Sequence, residues 1–282
     1  MDWLDRFNEA INYIEEHLEE NINLDDLGKI ACCSSYHFQR MFSYMADVPL
    51  AEYIRRRRMS LAAVDLRDGQ KVIDVALKYG YESPTSFNRA FQSIHGFAPS
   101  KMKSTEVSIK AYPPISFQIT IKGAVEMSFR IVEKKAFRII GVSIPLEKEL
   151  EKNFAAVPQF WGKVSASGII PKLVPLMEEE PKGLLGVTSC GGSGAERYYI
   201  GVTSNQPLPE GMEEYTVPAE TWAVFAGQGP MPDSIQSLEK QIVTEWLPTS
   251  GYEYADAPDI EVYLDANPAN AKFEVWLPVV KK

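Results

Sequence analysis

One five-residue pattern occurs twice in this chain, and the second copy begins 49 residues after the first. Residues 38–42 read Phe-Gln-Arg-Met-Phe, and residues 87–91 read Phe-Asn-Arg-Ala-Phe. In an α-helix, positions i and i+4 share a face, so both Phe side chains of a copy can turn inward while the polar residue and the Arg turn outward. The pattern is therefore typical of a helix that is buried on one side and reads a partner with the other.

The first copy follows the start signals of two successive helices. Asn23 can cap a short helix from Leu24 to about Ala31, and Ser34 or Ser35 can cap the helix that holds residues 38–42. A helix, a tight turn and a second helix in this order predict a helix-turn-helix unit. The second helix of such a unit places its N-terminal residues against base edges in the DNA major groove.

The second copy follows the same signals. Val72–Tyr79 can form the short helix and Gly80 the turn, while Ser83 is an N-cap with Pro84 at the first helical position. A helix from about Leu50 to Leu66 can hold the two units apart, so that they engage adjacent major-groove segments about one helical turn apart. A single such helix could equally be an ordinary core helix, but two copies with matching caps and turns favour DNA binding.

The charge of the chain argues against nucleic acid at first, because the net charge of its 282 residues is −9. The acidic excess is uneven: residues 1–105 carry 13 Lys+Arg against 15 Asp+Glu, a net of −2, and residues 106–282 carry 16 against 23, a net of −7. Within the first half, residues 34–60 have a net charge of +3, owing to Arg40 and the run Arg55–Arg58. Basic groups are thus concentrated where DNA contacts are predicted.

The sequence predicts a soluble, cytoplasmic protein. No apolar run approaches the roughly 20 residues that span a bilayer, and the N-terminus lacks the pattern of a signal peptide. The three cysteines include the neighbours Cys32 and Cys33, which favour a reducing compartment and match no zinc-binding spacing. Burial beside the first turn is favoured over a redox switch for this pair. We expect no metal and no cofactor.

The predicted organisation has three parts: a helical domain over residues 1–105, a linker with a short strand over 106–126, and an α+β domain over 127–282. In the linker, Ile115, Phe117, Ile119 and Ile121 alternate with polar residues, as in a strand. In the last part the order strand-helix-strand-strand occurs twice, which predicts a pseudo-twofold fold. The predicted elements are strands at 137–142, 184–187, 198–203, 222–227, 260–264 and 273–277, and helices around 160–164 and 235–246.

The last two predicted strands contain a second repeated pattern. Residues 260–264 read Ile-Glu-Val-Tyr-Leu, and residues 273–277 read Phe-Glu-Val-Trp-Leu. Strand alternation places Glu261 on the same face as Tyr263 and Glu274 on the same face as Trp276. This arrangement predicts carboxylates among aromatic side chains, as in a binding pocket, or alternatively the solvent side of a half-buried sheet.

Over residues 4–103 the chain resembles the AraC/XylS family of transcription regulators, with its tandem helix-turn-helix domain. The matching segments are residues 34–42, 49–54, 75–81, 87–91 and 95–100. The resemblance implies DNA contacts by two sets of residues: Tyr36, Gln39 and Arg40 in the first unit, and Thr85, Ser86, Asn88 and Arg89 in the second. Arg can bond guanine, Asn and Gln can bond adenine, and hydroxyls more often contact phosphate. Cys32 stands where the family often has Gly.

Over about residues 127–282 the chain resembles GyrI-like ligand-binding domains, which follow tandem readers in Rob-like regulators. The matching segments are residues 130–133, 138–142, 198–202, 217–222 and 245–248, together with the two Glu patterns. The resemblance implies a pocket with acidic residues and aromatic walls, formed by Glu261, Glu274, Tyr198, Trp222, Tyr263 and Trp276. Trp222 replaces a more usual Tyr. Trp161 is added from its helix position alone.

These features predict a regulator that binds double-stranded promoter DNA and a lipophilic, cationic effector, with RNA polymerase as a further partner and no membrane. A carboxylate in an apolar cleft is costly to desolvate, and a cation among aromatic faces offsets that cost. Two alternatives remain open. Some relatives of the GyrI-like domain hydrolyse small molecules, and here Glu261 or Glu274 could act as a general base with Tyr198 as its partner. The second half could instead be a protein-interaction module.

Overall fold

The computed structural model describes residues 3–103, 107–118, 126–189, 196–265 and 267–282. A helical half ends near residue 103, and a half built on one antiparallel sheet begins at Phe129. Among these residues, no helix combines the length and the apolar character that crossing a membrane requires.

The helical half confirms the predicted tandem helix-turn-helix fold. Its helices are α1 (Trp3–Glu16), α2 (Leu24–Ala31), α3 (Ser35–Ala46), α4 (Leu50–Arg67), α5 (Val72–Lys78) and α6 (Pro84–His95), followed by a 3₁₀ helix at Pro99–Lys103. The predicted caps are in place, since Asn23, Ser34 and Ser83 each accept a hydrogen bond from a backbone N–H of the following turn. A side-chain oxygen at this position satisfies a donor that the helix leaves unpaired.

The two units have separate cores. Phe38 and Phe42 are buried with α1 in the first, while Phe87 and Phe91 are buried beneath α4 and α5 in the second. The core of the first unit is continuous with apolar side chains of the second half of the chain, including Trp246. The core of the second unit contains no residue beyond Tyr112 among those described. The first unit is therefore packed against the second half of the chain, and the second unit has a core of its own.

Residues 107–118 run along the helical half without forming a strand. The Asn8 side chain accepts from the N–H of Phe117 at 2.8 Å and donates to its carbonyl at 2.9 Å. The N–H of Ile115 donates to the Tyr53 hydroxyl at 3.1 Å. Side chains of the first unit thus replace the partner strand that the alternating pattern led us to expect. The other two residues of that pattern, Ile119 and Ile121, lie outside the described residues.

The second half confirms the predicted pseudo-twofold α+β fold. Its elements are β1 (Phe129–Lys134), β2 (Phe137–Pro145), α7 (Leu150–Ala166), α8 (Ile170–Leu173), a 3₁₀ helix (Val174–Leu176), β3 (Leu184–Thr188), β4 (Arg197–Thr203), β5 (Glu213–Val217), β6 (Glu220–Gly229), α9 (Asp233–Gln241), a π-helical turn (Ile242–Trp246), a 3₁₀ helix (Leu247–Thr249), β7 (Tyr252–Tyr254), β8 (Asp259–Tyr263) and β9 (Ala271–Lys281). The strand order is β1-β6-β9-β8-β3-β4-β2-β5, with β7 paired to β9. The order is symmetric about the β8–β3 pair, where the two strand-helix-strand-strand repeats of this sheet meet.

The two faces of the sheet are buried in different ways. On one face, α7 packs over β4 and α9 packs over β6 and β9. The other face forms a core of strand side chains alone. In the antiparallel β8–β9 pair, Glu261 lies opposite Val275 and Val262 lies opposite Glu274. Because paired residues share a face, Glu261 points toward the helices, and Glu274 points toward the all-strand core.

Candidate functional site

The second predicted DNA-reading helix, α6, is open to solvent. Thr85, Ser86, Asn88 and Arg89 are all exposed, while the Phe residues of the repeated pattern face inward. Ser86 also takes part in the helix start, where its hydroxyl donates to the carbonyl of Ser83 at 2.8 Å. The exposed side of α6 is therefore available to a major groove.

The first predicted DNA-reading helix, α3, is covered by the second half of the chain. Tyr36 is 8% exposed and Gln39 is 3% exposed, and the Arg40 side chain is 11% exposed. All three face α7, α9 and the sheet. The two copies of the repeated pattern thus have the same local structure and opposite environments.

Gln39 makes a pair of hydrogen bonds at the start of α7. Its Nε2 donates to the carbonyl of Lys148 at 2.8 Å, and its Oε1 accepts from the N–H of Leu150 at 3.3 Å. Leu150 is the first residue of α7, whose own N-cap, Glu149, supplies no side-chain hydrogen bond. Gln39 therefore caps a helix of the other half of the chain.

Arg40 lies among carboxylates of the sheet half. Its Nη2 bonds Oδ2 of Asp259, and its Nη1 lies 3.8 Å from Oε1 of Glu239. His37 Nε2 lies 2.9 Å from the same Asp259 oxygen. Burial by itself raises the pKa of Asp259, but the charge of Arg40 and the contact with His37 outweigh it and hold the pKa at about 2. Asp259 is thus a buried, ionised partner of Arg40.

A cavity of about 430 Å³ lies beside these contacts, between α7 and α9 and above β8 and β3. Trp161 contributes to its wall from α7, Glu239 from α9, and Tyr198 from β4. The helical half contributes Tyr36 and Arg40 from α3. The cavity is therefore closed on one side by the predicted DNA-reading helix.

Glu261 is the buried carboxyl group of this cavity. Its Oε2 accepts from the hydroxyl of Tyr198 at 2.7 Å and from the hydroxyl of Tyr263 at 2.9 Å. The Tyr198 hydroxyl accepts in turn from Trp161 Nε1 at 2.9 Å. Burial, followed by the nearby charge of Glu239, raises the pKa of Glu261 to about 7, against the opposing effects of both hydroxyls and of Arg40. Glu261 can therefore exchange a proton near neutral pH.

Gly186 provides the space for this hydrogen-bonded group. It lies opposite Glu261 in the β3–β8 pair. A Cβ atom at this position would lie 2.2 Å from the Tyr198 hydroxyl oxygen and 2.6 Å from Glu261 Oε2. Only a residue without a side chain allows the carboxylate and the hydroxyl to meet there.

Four of the seven predicted ligand residues come together here: Trp161, Tyr198, Glu261 and Tyr263. The structure places the other three on the opposite face of the sheet. Glu274 pairs with Arg130 at 2.8 Å and accepts from Trp276 Nε1 at 2.8 Å. Trp222 is fully buried and packs against Trp276, with 6.2 Å between ring centroids. None of these three lines the cavity at Glu261.

Two carboxylates at this site were missed from the sequence, Glu239 and Asp259. Glu239 lies four residues after Ile235 and three before Ile242, both buried positions of the same helical stretch. A carboxylate on the apolar face of a predicted helix is a signal that could have identified it. Asp259 directly precedes the Glu261 pattern, and no motif marks it.

Family models match both halves of the chain. The model described as integron-associated effector binding protein matches residues 130–279, and a helix-turn-helix domain model matches residues 27–105. The first match spans more than half of the chain.

Regulators of transcription are among the most similar curated proteins. The HTH-type transcriptional activator AarP of Providencia stuartii is 40% identical over 93 residues, which are 33% of this chain and 69% of that protein. The regulatory protein SoxS of Salmonella typhimurium is 38% identical over 91 residues, 32% of this chain and 85% of that protein. Among solved structures, SAV2435 bound to tetraphenylphosphonium has a TM-score of 0.48 at 21% identity, covering 55% of this chain and 94% of that one.

Proposed function

Since this chain belongs to the family of integron-associated effector-binding proteins and carries the helix-turn-helix domain of AarP- and SoxS-type regulators, we propose that it is a ligand-responsive regulator of transcription. In this proposal α3 and α6 bind promoter DNA, and the cavity at Glu261 binds an amphipathic cation. RNA polymerase is the expected partner at the promoter.

The observation that supports a cationic effector is Glu261, a buried carboxyl group surrounded by aromatic side chains. An unpaired carboxylate in such a place is costly to desolvate, and a cation placed beside it offsets that cost. Trp161, Tyr198 and Tyr263 stand around it, and each aromatic face adds an attraction for a cation of about 0.5 to 2 kcal/mol. A neutral ligand would gain the apolar contacts only.

The charges near the cavity also leave room for a cation. Glu239, Glu261 and Asp265 line the cavity together with one guanidinium group, that of Arg40, and Asp259 lies beside it as the ion-pair partner of Arg40. Asp259 is paired with Arg40, while Glu239 lies farther from it and accepts a hydrogen bond from Tyr44. The cavity volume of about 430 Å³ lies within the range of drug-sized sites. Together with the aromatic walls and the excess of carboxyl groups, this size suits an aromatic or otherwise apolar cation.

The DNA contacts remain those proposed from the sequence. In α6, Asn88 and Arg89 have the groups that bond adenine and guanine edges, and Thr85 and Ser86 have hydroxyls suited to phosphate. In α3, Tyr36, Gln39 and Arg40 would serve in the same way once the helix is uncovered. The exposure of α6 supports the first set.

Calorimetry with tetraphenylphosphonium tests the effector site. We expect binding to the full chain and a loss of about tenfold or more in Glu261→Gln, because the charge is removed while the shape is kept. Glu274→Gln is the matched control, since Glu274 occupies the same place in the repeated pattern on the other face of the sheet, and its affinity should equal that of the wild type. Equal binding of neutral triphenylphosphine oxide would contradict a cation site.

The pKa of Glu261 also suits a general base, which keeps hydrolysis as a second candidate. Mass spectrometry of the ligand after incubation separates the two functions. An unchanged ligand in a stoichiometric complex supports an effector site, and a hydrolysed one supports an enzyme. Absence of binding by any member of a panel of lipophilic cations would favour an interaction module instead.

A further inference from the structure

The sheet half holds the DNA-reading residues of α3 with the same chemical groups that DNA would offer. Gln39 donates one hydrogen bond and accepts another, at Lys148 and Leu150. An adenine edge in the major groove presents the same pair, an acceptor at N7 and a donor at N6. Arg40, the residue suited to guanine or phosphate, has Asp259 and Glu239 as its acceptors. A groove and the sheet half therefore cannot hold α3 at the same time.

Arg40 belongs to the effector cavity as well as to this contact. It lines the cavity and lies 3.8 Å from Glu239, and its charge opposes the upward shift in the pKa of Glu261. The guanidinium group of Arg40 therefore already occupies the position beside the carboxylates that a cationic effector would bind. Two positive charges repel each other more strongly in a partly buried site than in bulk water.

From this geometry we infer that Arg40 is an internal cation of the effector cavity, and that a cationic effector acts by competing with it, which releases α3 to DNA. The inference rests on the proposed function and adds its regulation. Arg40 is paired with Asp259, which does not line the cavity, and it also acts on Glu239 and Glu261, which do, so these two carboxylates link the sites. Effector and DNA then favour the same open arrangement, so each raises the affinity for the other.

The contact around α3 is partly polar, as is common for interfaces between domains that can separate. Besides Gln39 and Arg40, it includes an ion pair between Lys240 and Asp47 and a hydrogen bond from Tyr44 to Glu239. Apolar side chains of the first unit and of the sheet half also meet there. Opening would separate these apolar side chains and expose them to water, which costs free energy. The effector therefore shifts a population between a closed and an open arrangement, and DNA shifts it further. Interfaces between domains of one chain commonly permit such motion.

The test is the affinity of the full chain for tetraphenylphosphonium, measured by calorimetry in Arg40→Ala. Competition predicts that removing Arg40 tightens binding by about fivefold or more, the lower end of typical coupling between sites. Arg40→Lys keeps the positive charge and should bind as the wild type does. Arg89→Ala removes the corresponding Arg of the exposed helix, and should lose DNA affinity without the gain in ligand affinity.

The outcomes separate this inference from the function on which it rests. If Arg40→Ala binds the cation as weakly as or more weakly than the wild type, competition is wrong and the effector site stands. If neither protein binds, both proposals fall. Fluorescence anisotropy with a duplex selected from a random library gives the second measurement. Saturating tetraphenylphosphonium should tighten DNA binding by the wild type, and an unchanged or weakened affinity would contradict the release of α3.

Discussion

Arg40 and Asp259, 219 positions apart in the chain, form an ion pair that joins α3, the first proposed DNA-reading helix, to the edge of the proposed effector cavity. Arg89, the corresponding residue of the second helix, is exposed. The two arginines are equivalent in sequence pattern and differ in what surrounds them.

Arg89→Ala should weaken specific DNA binding by about 1 to 3 kcal/mol with or without an effector, because α6 is exposed in either case. Arg40→Ala should have a smaller effect without an effector and a comparable one at saturating tetraphenylphosphonium, when α3 takes part. Titrations of one duplex under both conditions measure the contrast. Equal losses for both variants without an effector would mean that α3 is not held away from DNA.

The affinity for a lipophilic cation should rise with pH through about 7, because Glu261 attracts the cation only when it is ionised. The titratable and charged groups that act on Glu261 include Tyr198 and Tyr263 from the sheet, Glu239 from α9, and Tyr36 and Arg40 from α3. Calorimetry at about pH 5.5 and about pH 8 gives the change. In Glu261→Gln the dependence should be lost, and a variant that kept it would assign the titration to another group.

The same group should weaken the fold as pH rises. The pKa of Glu261 in the folded chain, about 7, lies above its ordinary value of 4.5. Between these two values the folded state holds a proton that the unfolded state releases, so the free energy of unfolding falls with pH. Glu261→Gln should therefore stabilise the protein near pH 8 and have little effect near pH 4. Denaturation of both proteins at both pH values tests this. Stabilisation by Glu261→Gln near pH 4 only would contradict a raised pKa of Glu261 in the folded state.

Cys32→Gly should stabilise the first helix-turn-helix unit by about 0.5 to 1 kcal/mol, the difference between the left-handed cost of a side chain and the entropy cost of glycine. Cys32 has φ +54° at the end of α2, and the turn of the second unit has Gly80 at φ +78°. Chemical denaturation measures the gain. Cys32→Ala keeps a Cβ and should give none, so equal stabilisation by both variants would point to loss of the thiol instead.

Gly186→Ala should abolish cation binding, since its Cβ would overlap the Tyr198 hydroxyl and the Glu261 carboxylate. The bond between these two groups would have to break, leaving a buried carboxyl group with fewer donors. Calorimetry and thermal unfolding together should show loss of binding and of stability. Gly162→Ala in α7, which meets no atom within 4 Å, serves as the stability control and should not destabilise the chain.

Much of the fold could be predicted because its signals are local. Ser83 and Pro84 mark the start of α6 through cap chemistry, and the paired Phe residues define the inner face of each reading helix. The Glu261 pattern likewise predicted that Tyr263 would share its face, and the two are hydrogen bonded.

The rest depends on how distant segments align. Two Glu patterns on neighbouring strands could face one pocket together, but Glu261 is paired with Val275 and Val262 with Glu274. A shift of one residue in this register would bring both carboxylates to one face, and the repeated pattern contains nothing that sets it. The sequence also could not predict which group Arg40 binds, because a guanidinium group bonds guanine, phosphate or carboxylate with similar geometry.

The separate core of the second helix-turn-helix unit has a kinetic consequence. In the proposed regulation only α6 meets DNA while α3 is held, and a single helix makes few phosphate contacts. Such a complex has a short residence time and a weak dependence on salt, so the protein can leave one site and sample the next quickly. Once α3 joins, the number of phosphate contacts rises, and both the residence time and the salt dependence increase. The effector would then change how long the protein stays at a promoter more than how fast it arrives.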